Sequence, residues 1–184
     1  MTDKLFITAD QLNMDSFRLA KQVYDSGFKP TFMVALWRGG TLVGCPVQEF
    51  LAYKGIEVDH IAIRTSRYTG IEQAEDTVKI HGLDYIIKKA NSTDRLLIVD
   101  DVWDTGKTIE ALIQKLKEES RANAPSEIKT AAVYYKPAKN KTDITPDFYI
   151  HETDKWLIFP HELEGLSIDE IEAGKGKDVA ELLK

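Results

Sequence analysis

Two short, wholly apolar runs constrain this chain more than anything else in it. Thr31-Phe32-Met33-Val34-Ala35-Leu36 leads to Gly39-Gly40, and Leu96-Leu97-Ile98-Val99 leads straight into acids. A strand without polar alternation is buried on both faces, which marks a parallel sheet covered by helices. The intervening segments fit. Leu12, Ser16, Leu19, Ala20 and Val23 share one face, so the spacing predicts a helix over Gln11 to Ser26, stopped by Gly27 and Pro30. Thr41 to Tyr53 is apolar enough for a buried helix, closed by Gly55. Ile109, Leu112, Ile113 and Leu116 form one stripe of a helix from Thr108 to Lys117. Val58 to Ile63, Ile128 to Tyr135 and Asp147 to Ile150 read as strands, and Asp169 to Lys184 as short helices. Thr65 to Gly82 is polar, mixed and without a clear period. The expected fold is therefore α/β, with a mostly parallel sheet flanked by helices. Ligands of such sheets bind beyond the carboxyl ends of strands, here the loops after Leu36 and Val99.

The chain has 184 residues and no repeat or Gly/Ser-rich linker, so a single domain over 1–184 is expected. A net charge of -6 argues against a nucleic-acid surface. The one cysteine, Cys45, cannot form an internal disulfide; it is expected to pack inside its helix. No apolar run is long enough for a membrane span, and the first residues carry no apolar leader, so a cytoplasmic protein is expected. His60, His81, His151 and His161 have no mutual metal spacing.

The chemistry concentrates in Val99-Asp100-Asp101-Val102-Trp103-Asp104-Thr105-Gly106-Lys107-Thr108. A helix N-terminus offers free N–H groups and partial positive charge. Gly106 allows close approach, and Thr105 and Thr108 add hydroxyls, which together make a phosphate cradle. Carboxylates beside a phosphate must serve hydroxyls or a metal, and a phosphorylated sugar diol satisfies both halves. A Walker A loop fails on spacing, because the glycine it needs five positions before Gly106 is Asp101. The plain alternative is a capped helix, with Asp104 or Thr105 as N-cap and exposed acids. In Leu36-Trp37-Arg38-Gly39-Gly40 the glycines allow a loop to wrap an anion that Arg38 binds bidentately.

Leu96 to Thr108 resembles the phosphoribosyl-pyrophosphate (PRPP) motif of type I phosphoribosyltransferases. The resemblance spans roughly Phe32 to Glu162 and implies a small hood built from the terminal segments. It implies that Asp100 and Asp101 hold the ribose hydroxyls and a magnesium ion. Asp104 would be catalytic, near the reacting base, and Thr105, Gly106, Lys107 and Thr108 would bind the 5′-phosphate. Arg38 and Gly39 would bind pyrophosphate, in a loop where the family often has an unusual peptide bond before the position of Arg38. Ser66 and Tyr68 would belong to a lid that shields the reaction from water. Lys136-Pro137 followed by Trp156 is similar to the xanthine-guanine branch of the purine enzymes. There the Lys meets the exocyclic oxygen of the base, the aromatic stacks on the ring, and the next residue, Leu157, offers backbone groups. That branch carries an acid where this chain has Ile158, and another after a proline, matched by Glu162 after Pro160. The implied function is purine salvage: transfer of phosphoribose from PRPP to a 6-oxopurine, with neither nucleic acid nor membrane as partner. The family is commonly oligomeric, so a homo-oligomer is expected. The alternatives are transfer to another base, or a PRPP-sensing regulator without catalysis.

Overall fold

The computed structural model describes residues 4–68 and 77–184, apart from the side chains of Arg67, Tyr68 and Thr77. The strands are β1 (Lys4–Phe6), β2 (Phe32–Trp37), β3 (Asp59–Tyr68), β4 (Thr77–His81), β5 (Arg95–Trp103), β6 (Glu127–Tyr135), β7 (Phe148–Glu152) and β8 (Trp156–Ile158). The helices are α1 (Ala9–Asp25), α2 (Gly39–Tyr53), α3 (Asp84–Lys89), α4 (Lys107–Ser120), α5 (Ile168–Lys175) and α6 (Lys177–Glu181). The main sheet has the order β4-β3-β2-β5-β6-β7. It is parallel throughout except for β3–β4. From β2 the chain winds to one edge and from β5 to the other, so winding reverses between these two neighbours.

The uniformly apolar strands divide their side chains between two cores. Met33, Leu97, Val99, Ala131 and Val133 pack under α1 and α2. Val34, Leu36, Leu96, Ile98 and Ala132 pack under α3 and α4. Full burial of a Val, Leu or Ile side chain stabilises by about 1.5–3 kcal/mol, so both faces need cover. Helix α1 starts before the expected Gln11 because the Thr8 hydroxyl accepts from the Gln11 N–H at 3.1 Å.

The terminal segments form the expected hood. β1 pairs in parallel with β8 as a separate two-stranded sheet. Helix α5 lies on it through Gly174, where a Cβ would fall 2.1 Å from the Phe6 ring. Among the described residues no helix is long and apolar enough to cross a membrane.

Two sequence expectations are corrected. Thr65 to Gly82 includes the end of β3 and all of β4, an antiparallel edge pair. Its alternation of Val78 and Ile80 with Lys79 and His81 is too short to stand out as a period. Cys45 is exposed rather than packed, because α2 buries the face carrying Val43, Val47 and Leu51.

Candidate active site

β2 and β5 stay paired only as far as Ala35 and Val99. Beyond that point β5 continues along β6 to Trp103, while β2 ends at Trp37 and turns into α2. The parting opens a crevice at the winding reversal, the location expected for a ligand in an open α/β sheet. Asp100 and Asp101 are the first β5 residues past it. They are strand residues, since pairing with β6 carries this strand beyond the Val99 limit that apolarity suggested.

Glycines let the opposite wall come close. A Cβ on Gly39 would lie 1.8 Å from Asp101 Oδ2, and one on Gly40 2.6 Å from the Val99 carbonyl oxygen. The Trp37–Arg38 peptide bond is cis. The crevice holds a cavity of about 410 Å³ whose walls include Arg38, Gly39, Arg64, Thr65, Asp100, Asp101, Thr108, His161 and Glu162. An adjoining cavity of about 140 Å³ shares Asp100, Val102 and Thr108 and is lined by Asp104, Thr105 and Gly106. A larger hollow of about 670 Å³ between α4 and the segment before β7 contains none of the expected site residues.

Burial dominates the electrostatics of the two acids. It pushes the Asp100 carboxyl well above the usual range, and the charge of neighbouring Asp101 pushes it further. Backbone N–H groups of Asp101 and Gly40 offset part of this by favouring the ionised form. Burial also raises Asp101 to about 6, and the charge of Glu162 adds to the rise. Such a pair favours a cation or a set of hydroxyl donors between its carboxylates. Among the described residues no three His, Cys, Asp or Glu side chains could hold a metal ion by themselves.

Two further groups bear on the site. His161 lines the cavity with Nε2 3.8 Å from Asp101 Oδ2, and its ring stacks on Phe159. Burial lowers its pKa, and its buried Nδ1 has no hydrogen-bond partner. Lys136, only 6% exposed, follows β6 and lines neither cavity; its N–H donates to the Trp103 carbonyl at 2.9 Å. Burial lowers its pKa, while the charges of Asp104, Asp154 and Glu162 favour the ammonium. Asp104 Oδ1 is buried without a hydrogen-bond partner. A buried carboxylate oxygen without a donor is costly, and a ligand donor would relieve it.

The turn from Thr105 to Thr108 is built as a cradle. Gly106, at φ 77°, occupies the N-cap position of α4 and has no side chain with which to cap it. The N-cap is therefore neither Asp104 nor Thr105, the residues the capped-helix alternative put there. The turn is braced from outside. The Lys141 N–H donates to the Thr105 carbonyl at 3.0 Å, and Trp103 Nε1 donates to Asn140 Oδ1 at 3.2 Å. Asn140 Nδ2 in turn donates to the carbonyls of Thr142 and Ile144. A Cβ on Gly106 would lie 2.5 Å from Thr142 Oγ1.

Arg38, Gly39, Asp100, Asp101, Asp104, Thr105, Gly106 and Thr108 thus line two adjoining cavities. Lys107 opens α4 but lines neither cavity. Trp156 is 53% exposed and also outside both, and the Leu157 side chain is committed to the core under α1. Ser66 is a β3 residue paired opposite Lys79, away from the cavity walls. The side chain of Tyr68, and residues 69–76 of the expected lid, lie outside the described residues. Sequence reasoning missed Arg64, Thr65 and the placement of His161. The first two sit on a parallel strand and were within reach, had β3 not been expected to end at Ile63.

Residues 8–169 match the model of the phosphoribosyl transferase domain. Among solved structures the chain is similar to a purine phosphoribosyltransferase from Pyrococcus horikoshii Ot3, at 30% identity and a TM-score of 0.69, over 89% of this chain and 97% of that one. It shares its fold with a hypothetical protein from Neisseria gonorrhoeae with bound ppGpp, at 22% identity and a TM-score of 0.73, over 100% and 99% of the two chains. A hypoxanthine phosphoribosyltransferase from Staphylococcus aureus has the same fold at 16% identity and a TM-score of 0.62, over 83% and 78%. No curated protein matches the chain.

Proposed function

The chain belongs to the phosphoribosyltransferase family, and on that premise we propose that it transfers phosphoribose from PRPP to a 6-oxopurine base and releases pyrophosphate. The carrying observation is Asp104, whose buried Oδ1 has no hydrogen-bond partner, together with the buried Lys136, whose ammonium the Asp104 charge favours. Lys136 carries donors only, so it suits the O6 acceptor of hypoxanthine or guanine. Adenine presents an amino group there, and two donors would face each other. The purine enzyme from Pyrococcus horikoshii, at 30% identity, supports a purine.

In this reading the α4 N-terminus and the turn Thr105–Thr108 bind the 5′-phosphate. Asp100 and Asp101 hold the ribose hydroxyls, and Arg38 with Gly39 binds the pyrophosphate. The bond between the anomeric carbon and pyrophosphate breaks, a bond to a ring nitrogen of the base forms, and that nitrogen loses its proton. Asp104 stabilises the positive charge developing on the sugar or takes that proton. Asp100 and Asp101 would hold a magnesium ion, which would supply positive charge toward the leaving pyrophosphate.

The test is turnover with PRPP and magnesium across adenine, hypoxanthine and guanine, with and without chelator. A charged donor left facing a donor costs about 1–3 kcal/mol or more, so adenine should be disfavoured about tenfold to over a hundredfold. Lys136→Ala should lower 6-oxopurine efficiency and narrow that gap. Equal kcat/KM for adenine and hypoxanthine, or full activity in chelator, would overturn the corresponding assignment.

A further inference from the structure

Arg64 lines the larger cavity of the crevice yet is not among the residues assigned to the substrate. It is an exposed β3 residue, and among the described residues its guanidinium has neither an ion pair nor a hydrogen bond. Its direction follows from the strand. Ile63 is buried in the core under α3 and α4, so by alternation Ala62 and Arg64 point to the opposite face. Helix α2 covers that face over β2, through Val43 and Val47 on Met33, but leaves Ala62 exposed on β3. β3 is paired with β2 in register up to Arg64 opposite Trp37, the residue before Arg38. Paired strands lie about 4.8 Å apart and successive Cα atoms at most about 3.8 Å, so the Cα atoms of Arg38 and Arg64 are within about 9 Å. Side chains of this length rooted that close can grip one anion from two sides.

The charges around this cavity call for such a pair. Its walls carry three carboxyl groups, those of Asp100, Asp101 and Glu162. Among the described residues that line it, only Arg38 and Arg64 are permanently cationic. Arg38 alone leaves the acids well in excess, which disfavours a polyanion, and Arg64 supplies the second positive charge. The adjoining cavity, lined by Asp104, Thr105 and Gly106, has neither arginine on its wall. The two guanidiniums therefore serve one end of the crevice only.

We propose that Arg64 is a second pyrophosphate-binding residue: with Arg38 it forms a clamp across the ends of β2 and β3 that holds the pyrophosphate of PRPP before transfer and free pyrophosphate after it, without touching the 5′-phosphate. The inference rests on reading the larger cavity as the pyrophosphate end of the PRPP site.

The experiment is isothermal titration of wild type, Arg64→Gln and Arg64→Lys with pyrophosphate and magnesium, and separately with ribose 5-phosphate. Neither probe depends on which base is used. Glutamine removes the charge and keeps part of the stem; lysine keeps the charge and loses the planar fork. Arg64→Gln should bind pyrophosphate about tenfold to a hundredfold more weakly, from the loss of charged hydrogen bonds, and ribose 5-phosphate within about twofold of wild type. Arg64→Lys should recover part of the loss. Unchanged pyrophosphate affinity, an equal loss for both ligands, or an Arg64→Gln variant unfolded by circular dichroism would each overturn the proposal and leave the phosphoribosyl reading standing. Wild type is measured first. If it binds neither ligand, the phosphoribosyl reading itself falls, and the role of Arg64 with it.

Discussion

Asp101→Asn should stabilise the ligand-free protein while abolishing its activity. Burial raises the Asp101 carboxyl to about 6 in the fold, from the 3.8 of an ordinary aspartate. Between those values the folded state holds more protons than the unfolded chain, so stability falls as pH rises through this window. Below about 4 the penalty is absent, and above about 6 it is fully present. The rise amounts to about 3 kcal/mol. Asparagine keeps the shape and can accept the same backbone N–H bonds, but it cannot ionise. Urea unfolding followed by far-UV circular dichroism, without divalent cations, should show wild type and variant equally stable near pH 4. Near pH 8 the variant should lead by about 3 kcal/mol, or about 6–12 °C in Tm for a chain of this size. PRPP turnover should be lost, because the ribose hydroxyls lose a charged acceptor. A variant no more stable than wild type near pH 8, or equally ahead at both pH values, would refute the reasoning.

Asp104→Asn should lower kcat roughly 10²-fold or more with PRPP binding largely kept, as expected for a group acting in the chemical step; wild-type turnover would remove it from the mechanism. Gly39→Ala should weaken PRPP binding strongly without unfolding the protein, since its Cβ would fall 1.8 Å from Asp101 Oδ2 and force the two walls apart. Isothermal titration with PRPP and magnesium checks this, and unchanged affinity would contradict the close approach.

The parallel sheet and the stretch from Asp100 to Thr108 were legible because both depend on local pattern. Leu96–Val99 is apolar enough to demand burial on two faces, and acids directly after it have few other uses. The extension of β5 to Trp103 was not legible, because it depends on β6 continuing alongside. Nor were β1 and β8, each of three residues, whose pairing joins the two ends of the chain. Trp156 shows the opposite limit. Its spacing from Lys136 suggests a stacking aromatic, yet its ring is half exposed and outside both cavities.

On the proposed assignment of Thr105–Thr108 to the 5′-phosphate, the bracing of this turn by Lys141, Asn140 and Thr142 bears on how tightly that group is held. Fixing the backbone of one residue costs about 1–2 kcal/mol in conformational entropy. A loose turn would meet that cost at each encounter, and affinity would fall accordingly. Here the ordering is completed when the chain folds, so the N–H groups of the turn stand in place before any anion arrives. Capture then resembles rigid docking more than coupled ordering, with the association rate set by diffusion and charge.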